Sequence, residues 1–144
     1  MPKSTTVCNS LLALIFNATT WNDIAENDTT SPSTNLYLSL HTSTPGIGGS
    51  QTTGETSYTN YVRIAVARTT GGWTAPASSA TSNAALAQFA QCGVTGATIT
   101  HVAIGTGSSG AGLVLYAGAL TSSLAVASGI QPQFAIAALT VTEA

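Results

Sequence analysis

The chain has 144 residues, enough for one domain with a real core; 44% of them are hydrophobic and only 6% are charged, against about 25% charged in an ordinary domain. Three basic residues and a net charge of −2 cannot neutralise a run of phosphates, which argues against a direct nucleic-acid binder. The longest apolar run, residues 11–16, is far too short to cross a bilayer.

The charged residues are Lys3, Asp23, Glu26, Asp28, Glu55, Arg63, Arg68 and Glu143. The polar surface must therefore come from Ser, Thr, Asn and Gln. Such a surface is poorly protected against association, because charge is what keeps strand edges and patches apart. The composition predicts an outer surface committed to neighbours. Cys8 and Cys92 read as two buried thiols, with one disulfide as the alternative. Neither His41 nor His101 has ligand-spaced companions, so the sequence implies no metal and no cofactor. Lys3 is a thin basic start and no small-residue cleavage site follows Phe16, so no signal peptide is expected.

In chain order, residues 4–17 place Val7, Leu11, Leu14 and Ile15 at helical spacing, with Ser4 or Thr5 as a cap. Trp21 and Ile24 precede an acidic, polar turn over 26–33, with Pro32 as a breaker. This segment reads either as a plug on the sheet core or as an arm that reaches a neighbouring subunit. Residues 35–42 (Asn-Leu-Tyr-Leu-Ser-Leu-His-Thr) alternate Leu36, Leu38 and Leu40 with Tyr37, Ser39 and His41. That period of two predicts a half-buried strand. A polar loop over 43–57 follows, long enough to be functional or mobile.

Residues 58–68 predict a second strand, in which Val62, Ile64 and Val66 alternate with Tyr61, Arg63 and Ala65. Gly71 and Gly72 turn the chain, Trp73 starts a short third strand, and 76–82 reads as a Ser/Ala linker. Residues 83–91 fit helix or strand. Further strands are expected over 97–105, 113–120, 124–127, 133–137 and 139–142, with turns between them. About eight short strands predict an all-β fold: an antiparallel β-sandwich or jelly-roll with a short N-terminal helix. The expected organisation is a single domain over 1–144, with the helix and arm in 1–34 and the sandwich in 35–144.

Chemical motifs are weak. Gly105-Thr-Gly-Ser-Ser-Gly110 matches the dinucleotide pattern G-x-G-x-x-G, but a strand follows it and no acid stands until Glu143, so a hairpin turn explains the glycines. A serine hydrolase lacks its G-x-S-x-G elbow, and a glycosidase would have to draw its acid pair from Asp23, Glu26, Asp28 and Glu55. His101 reads as a packed strand residue. His41, at the strand end beside the long loop, reads as a rim residue and not as a catalyst. Trp21, Tyr58, Tyr61 and Trp73 could stack on sugars, though packing is the commoner fate of such aromatics. Arg63 and Arg68 could pair with Glu55 or with acids on a partner. No enzyme is expected.

Residues 10–25 (Ser-Leu-Leu-Ala-Leu-Ile-Phe-Asn-Ala-Thr-Thr-Trp-Asn-Asp-Ile-Ala), 36–42 with Pro45 and Gly46, 58–63 (Tyr-Thr-Asn-Tyr-Val-Arg), Gly72-Trp73, 99–105 and 115–120 together resemble a family of small proteins of tailed bacteriophages and prophages. Such proteins are often labelled tail-fibre or structural. The resemblance spans nearly the whole chain and implies a virion protein made in the bacterial cytoplasm. The small β-rich design is similar to capsid cement (decoration) proteins. These sit on the outer surface of the head, bind the major capsid protein and self-associate, here expected as a dimer. A tail or tail-fibre module gripping a host glycan or surface protein is the alternative. The absence of heptads and long repeats favours cement over fibre. Expected contact elements are the helix over 4–17 and the 43–57 loop, and expected contact residues are Val7, Leu11, Trp21, His41, Ile47, Tyr58, Tyr61, Arg63 and Trp73.

Overall fold

The computed structural model describes residues 3–21 and 33–143. Among these residues one helix, α1 (Thr5–Phe16), precedes eight strands: β1 (Asn35–His41), β2 (Ile64–Ala67), β3 (Ala80–Ser82), β4 (Ala87–Gln88), β5 (Ala97–Gly105), β6 (Val114–Val126), β7 (Gln133–Phe134) and β8 (Thr140–Thr142). They pair as a four-stranded sheet in the order β2-β1-β5-β6 and two ribbons, β3-β8 and β4-β7. The fold is thus mostly β, with antiparallel pairing along β1-β5-β6 and β3-β8 and one N-terminal helix. Four of the strands are only two or three residues long, so the pairing scheme is sparser than the regular sandwich or jelly-roll the spacing predicts. Backbone proximity groups the chain into two compact units, one built from Met1–Asn35, Val66–Ala87 and Phe134–Ala144, the other from Leu36–Ala65 and Gln88–Gln133.

In the first unit, Ser4 caps α1 by accepting from the Val7 N–H. The helix buries Cys8, Leu12 and Phe16. This stripe is rotated by one residue from the expected Val7, Leu11 and Ile15, which are half-buried. Residues 11–16 are apolar all round, so periodicity alone could not choose the inner face. Phe16 meets the fully buried Trp73 edge-to-face at 4.7 Å. Arg68 closes the far end of the helix: Nε and an Nη donate to the Ile15 and Leu14 carbonyls at 2.6 Å each. These are the last-turn acceptors that a helix leaves without internal partners. Arg68 is therefore engaged by the helix, and pairing with Glu55 is corrected. Asp23, Ile24, Glu26, Asp28 and Pro32 lie outside the described residues.

Residues 76–82, read as a linker, hold a tight hairpin. Ala77 and Ala80 exchange both backbone hydrogen bonds at 3.0 Å, and Ser78 and Ser79 take φ of 52° and 63°. Two left-handed residues make the turn whose twist suits a hairpin, normally built from Asn-Gly. The Ser79 N–H donates to Asn9 Oδ1 of α1 at 2.7 Å, a tertiary contact that holds the serine there. Buried Asn83 ties the same unit together: its side chain donates to the Ala85 and Ala135 carbonyls and accepts from the Leu139 N–H.

In the second unit, β1 buries Leu36, Leu38 and Leu40 as its alternation predicts; each such side chain contributes about 1.5–3 kcal/mol. Ile99, Ala103 and Ile104 of β5 join this core, and β5 has the bounds expected of it. The second predicted strand is shorter than expected. Residues 58–63 lie outside any strand, with a turn at 59–60 in which Asn60 is left-handed at φ 77°; Tyr58 is buried there and donates its hydroxyl to the Ala90 carbonyl. Conversely, the predicted 113–120 and 124–127 strands are one strand, β6, interrupted opposite β5 by a register shift between Ile99 and His101.

Candidate functional site

The polar face of β1 is not open to solvent. Ser39 and His41 are as buried as the leucines, because the 43–57 loop folds back over them. Thr42 donates to the Gly54 carbonyl at 2.8 Å, Thr56 to the Leu40 carbonyl at 2.9 Å, and Gln51 to the Gly112 carbonyl at 2.9 Å. His41 Nδ1 lies 3.0 Å from the Thr53 carbonyl and Nε2 lies 2.9 Å from Ser39 Oγ. A carbonyl only accepts, so Nδ1 carries the proton and Nε2 accepts from the serine hydroxyl. Burial holds the His41 pKa below its usual value, only partly opposed by the Thr53 bond. The rim assignment for His41 is corrected: it is an interior anchor for the loop.

Beside it, Glu55 and Arg63 form a two-point ion pair. Arg63 Nε reaches Glu55 Oε1 and an Nη reaches Oε2, both at 2.7 Å. The remaining guanidinium donors bond the Gly107 carbonyl at 2.9 Å and the Gly110 carbonyl at 2.7 Å. The Arg63 side chain is only 3% exposed and that of Glu55 14%. The hydrogen bonds that Arg63 donates to Glu55 raise the Arg63 pKa. Tyr61 donates to Glu55 Oε1 at 2.8 Å and accepts from the Leu40 N–H at 3.0 Å. Burial pushes the Tyr61 phenol well up and that of Tyr58 up to about 12. Both tyrosines stay protonated, and they stack edge-to-face at 5.3 Å.

These residues line one side of a cleft of about 520 Å³ whose other side is the 108–110 turn. That turn is the G-x-G-x-x-G segment, and it joins two antiparallel strands as expected. Gln51 packs against Gly105 of this segment and against Gly112 just beyond it: an added Cβ would stand 2.3 Å from Gln51 Cδ at Gly105 and 2.2 Å from Gln51 Oε1 at Gly112. Gln51 Oε1 accepts from the Gly107 N–H at 2.8 Å.

Of the nine expected contact residues, the structure gathers His41, Tyr58, Tyr61 and Arg63 around this network. His41 and Tyr58 are buried within the second unit, Trp73 within the first. Val7, Leu11 and Trp21 are half-buried. Ile47 alone is fully exposed, between Gly46 and Gly48 at φ 69° and 83°. Gln51 and Glu55 complete the network, and Gln51 carries no sequence signal, since it is one polar residue in a polar loop. Cys8 and Cys92 are free, buried thiols. Among the described residues, no group of three or more His, Cys, Asp or Glu could hold a metal ion, and no helix is long and apolar enough to cross a membrane.

The site braces a loop against a hairpin turn. Its imidazole, phenol and guanidinium are all engaged by partners within the chain, and the Ser39 hydroxyl that bonds the imidazole is itself fully buried. The family model described as podophage GP4 fiber I protein gp80 matches residues 2–142. The chain belongs to that family. It is a family of phage virion structural proteins, typically non-enzymatic. No curated protein matches the chain.

Proposed function

We propose that this chain is a non-enzymatic structural subunit of a phage virion and that it serves in a fibre-type appendage of the particle. The observation that carries the reading is the family match over residues 2–142, whose description names a fibre protein. The internal bracing of the candidate site supports it, because those residues stiffen a small unit and leave no free catalytic group. The contact element we assign is the tip of the 43–57 loop. There Ile47 projects between two left-handed glycines while Gln51, Thr53 and Thr56 pin the loop base. In a fibre, that tip would meet a host glycan, a host surface protein or the next virion subunit.

A second reading keeps the chain on the outside of the head as a cement protein that grips the major capsid protein. The sequence favours it in one respect: no heptads or long repeats of a fibre shaft are present. Copy number separates the two. Purified particles would be measured by gel densitometry against the major capsid protein, with gold-labelled antibody to locate the chain. A handful of copies labelled on the tail or neck is the expected result. Hundreds of copies spread over the head would replace the fibre reading with cement, and absence from the particle would remove both.

A further inference from the structure

We infer that the outer edge of β6 pairs with β6 of a second copy of this chain, antiparallel about a two-fold axis at Gly118. The inference is independent of whether the copies stand on the tail or the head. In the order β2-β1-β5-β6, β6 is an edge strand of 13 residues. Natural edges are blunted by charge, proline or shortness. The other edge, β2, has four residues and runs directly into Arg68. β6 has no such guard: neither proline nor charge occurs in it, and no Asp, Glu, Lys or Arg occurs from Thr69 to Thr142.

The hydrogen-bond phase of the sheet says which groups point outward. Leu40 donates to Tyr61 Oη and accepts from Thr56, so both its backbone groups face away from β5. Its register partner Val102 must then direct both groups away from β1, toward Gly118 of β6. Ala117 and Ala119, on either side, therefore present their N–H and C=O to the outside. Among the described residues, no hydrogen bond from outside the strand ladder reaches residues 117–125.

A second copy fits this edge better than a different partner. The edge is neutral, so neither an acidic nor a basic segment gains complementarity there, whereas a like strand meets no repulsion. About an axis at Gly118, Ala117 of one copy faces Ala119 of the other. Each of the two such pairs exchanges two backbone hydrogen bonds, with Gly118 opposite Gly118 at the narrow, non-bonded position. Nothing lies within 4 Å of where a Gly118 Cβ would stand. Residues 117–119 are all exposed and have small side chains or none, so two backbones can approach closely. The step is short, because residues 120–123 lie opposite Thr100 alone. It gives a weak pair that high copy number in a particle would strengthen.

The test is sedimentation of the full chain across a concentration series, with amide hydrogen exchange at both ends of it. Wild type should move from monomer to dimer as concentration rises, and the Ala117 and Ala119 amides should gain protection as it does. Gly118→Lys places two like charges face to face. The Ala117→Pro/Ala119→Pro pair removes the outward donors without touching the ladder to β5, and should weaken dimerisation about a hundredfold or more. Circular dichroism and melting temperature check that each variant is folded. A wild type that stays monomeric with both amides exchanging freely overturns the inference. So does a dimer that survives Gly118→Lys unchanged, or amides protected only by another virion protein.

Discussion

Arg63 shows how much a single residue organises in this chain. Four hydrogen bonds tie it to both Glu55 carboxylate oxygens and to the Gly107 and Gly110 carbonyls. Removing one partner of such a pair strands the other charge in a dry site. Arg63→Ala or Glu55→Ala should each destabilise the chain by about 3–5 kcal/mol in urea unfolding. The double variant should cost clearly less than the sum, since neither charge is then left alone; additive losses would mean that the pair is not coupled. His41 gives a pH signature. Its folded pKa lies below the ordinary 6.5 because of burial. Above pH 6.5 the ring is neutral folded or unfolded and stability is at its full value. Below it, the unfolded chain takes up a proton that the folded chain resists, so stability falls with pH until the folded pKa is passed. His41→Gln does not titrate, so its melting temperature should drop less than that of wild type between pH 7.5 and 5.5. Parallel curves would show that His41 is not responsible.

At the scale of elements, what was legible followed local rules. Leucine alternation placed β1, a β-branched-rich run bounded by turn residues placed β5, and Ser4 before an apolar run placed the start of α1. What was illegible depended on distant residues. Nothing local says that Ser78 and Ser79 turn left-handed, because the Asn9 contact that holds them comes from α1. Residues 58–63 alternate like a strand, yet they leave the sheet through a turn at 59–60, where Tyr58 is buried and its hydroxyl bonds the Ala90 carbonyl. The candidate site divides in the same way. The scarcity of charge narrowed the partner of Glu55 to Arg63 or Arg68, and the structure gives Arg63. The clamp by Gln51 could not, because it exists only once the 43–57 loop has closed over β1 and met the β5–β6 turn.

For the whole molecule, the scarcity of charge now has a structural meaning. The cations of the described residues each have a partner within the chain: Lys3 meets Glu143, Arg63 meets Glu55, and Arg68 holds the end of α1. Among the described residues, little charge is left to steer one copy toward another or to keep copies apart. A pairing of copies through the β6 edge would then rest on backbone hydrogen bonds and apolar burial, which salt does not screen. The strength of self-association should consequently change by less than about twofold between 50 mM and 500 mM sodium chloride, where charge-driven interfaces weaken steeply. Sulfate at equal ionic strength should strengthen it, because an excluded salt favours burial of surface. Sedimentation in the two salts reads both effects. A steep loss in chloride would mean that charged groups, whether Glu55, Glu143 and their cations or Asp23, Glu26 and Asp28 outside the described residues, hold the copies together in place of the neutral β6 edge.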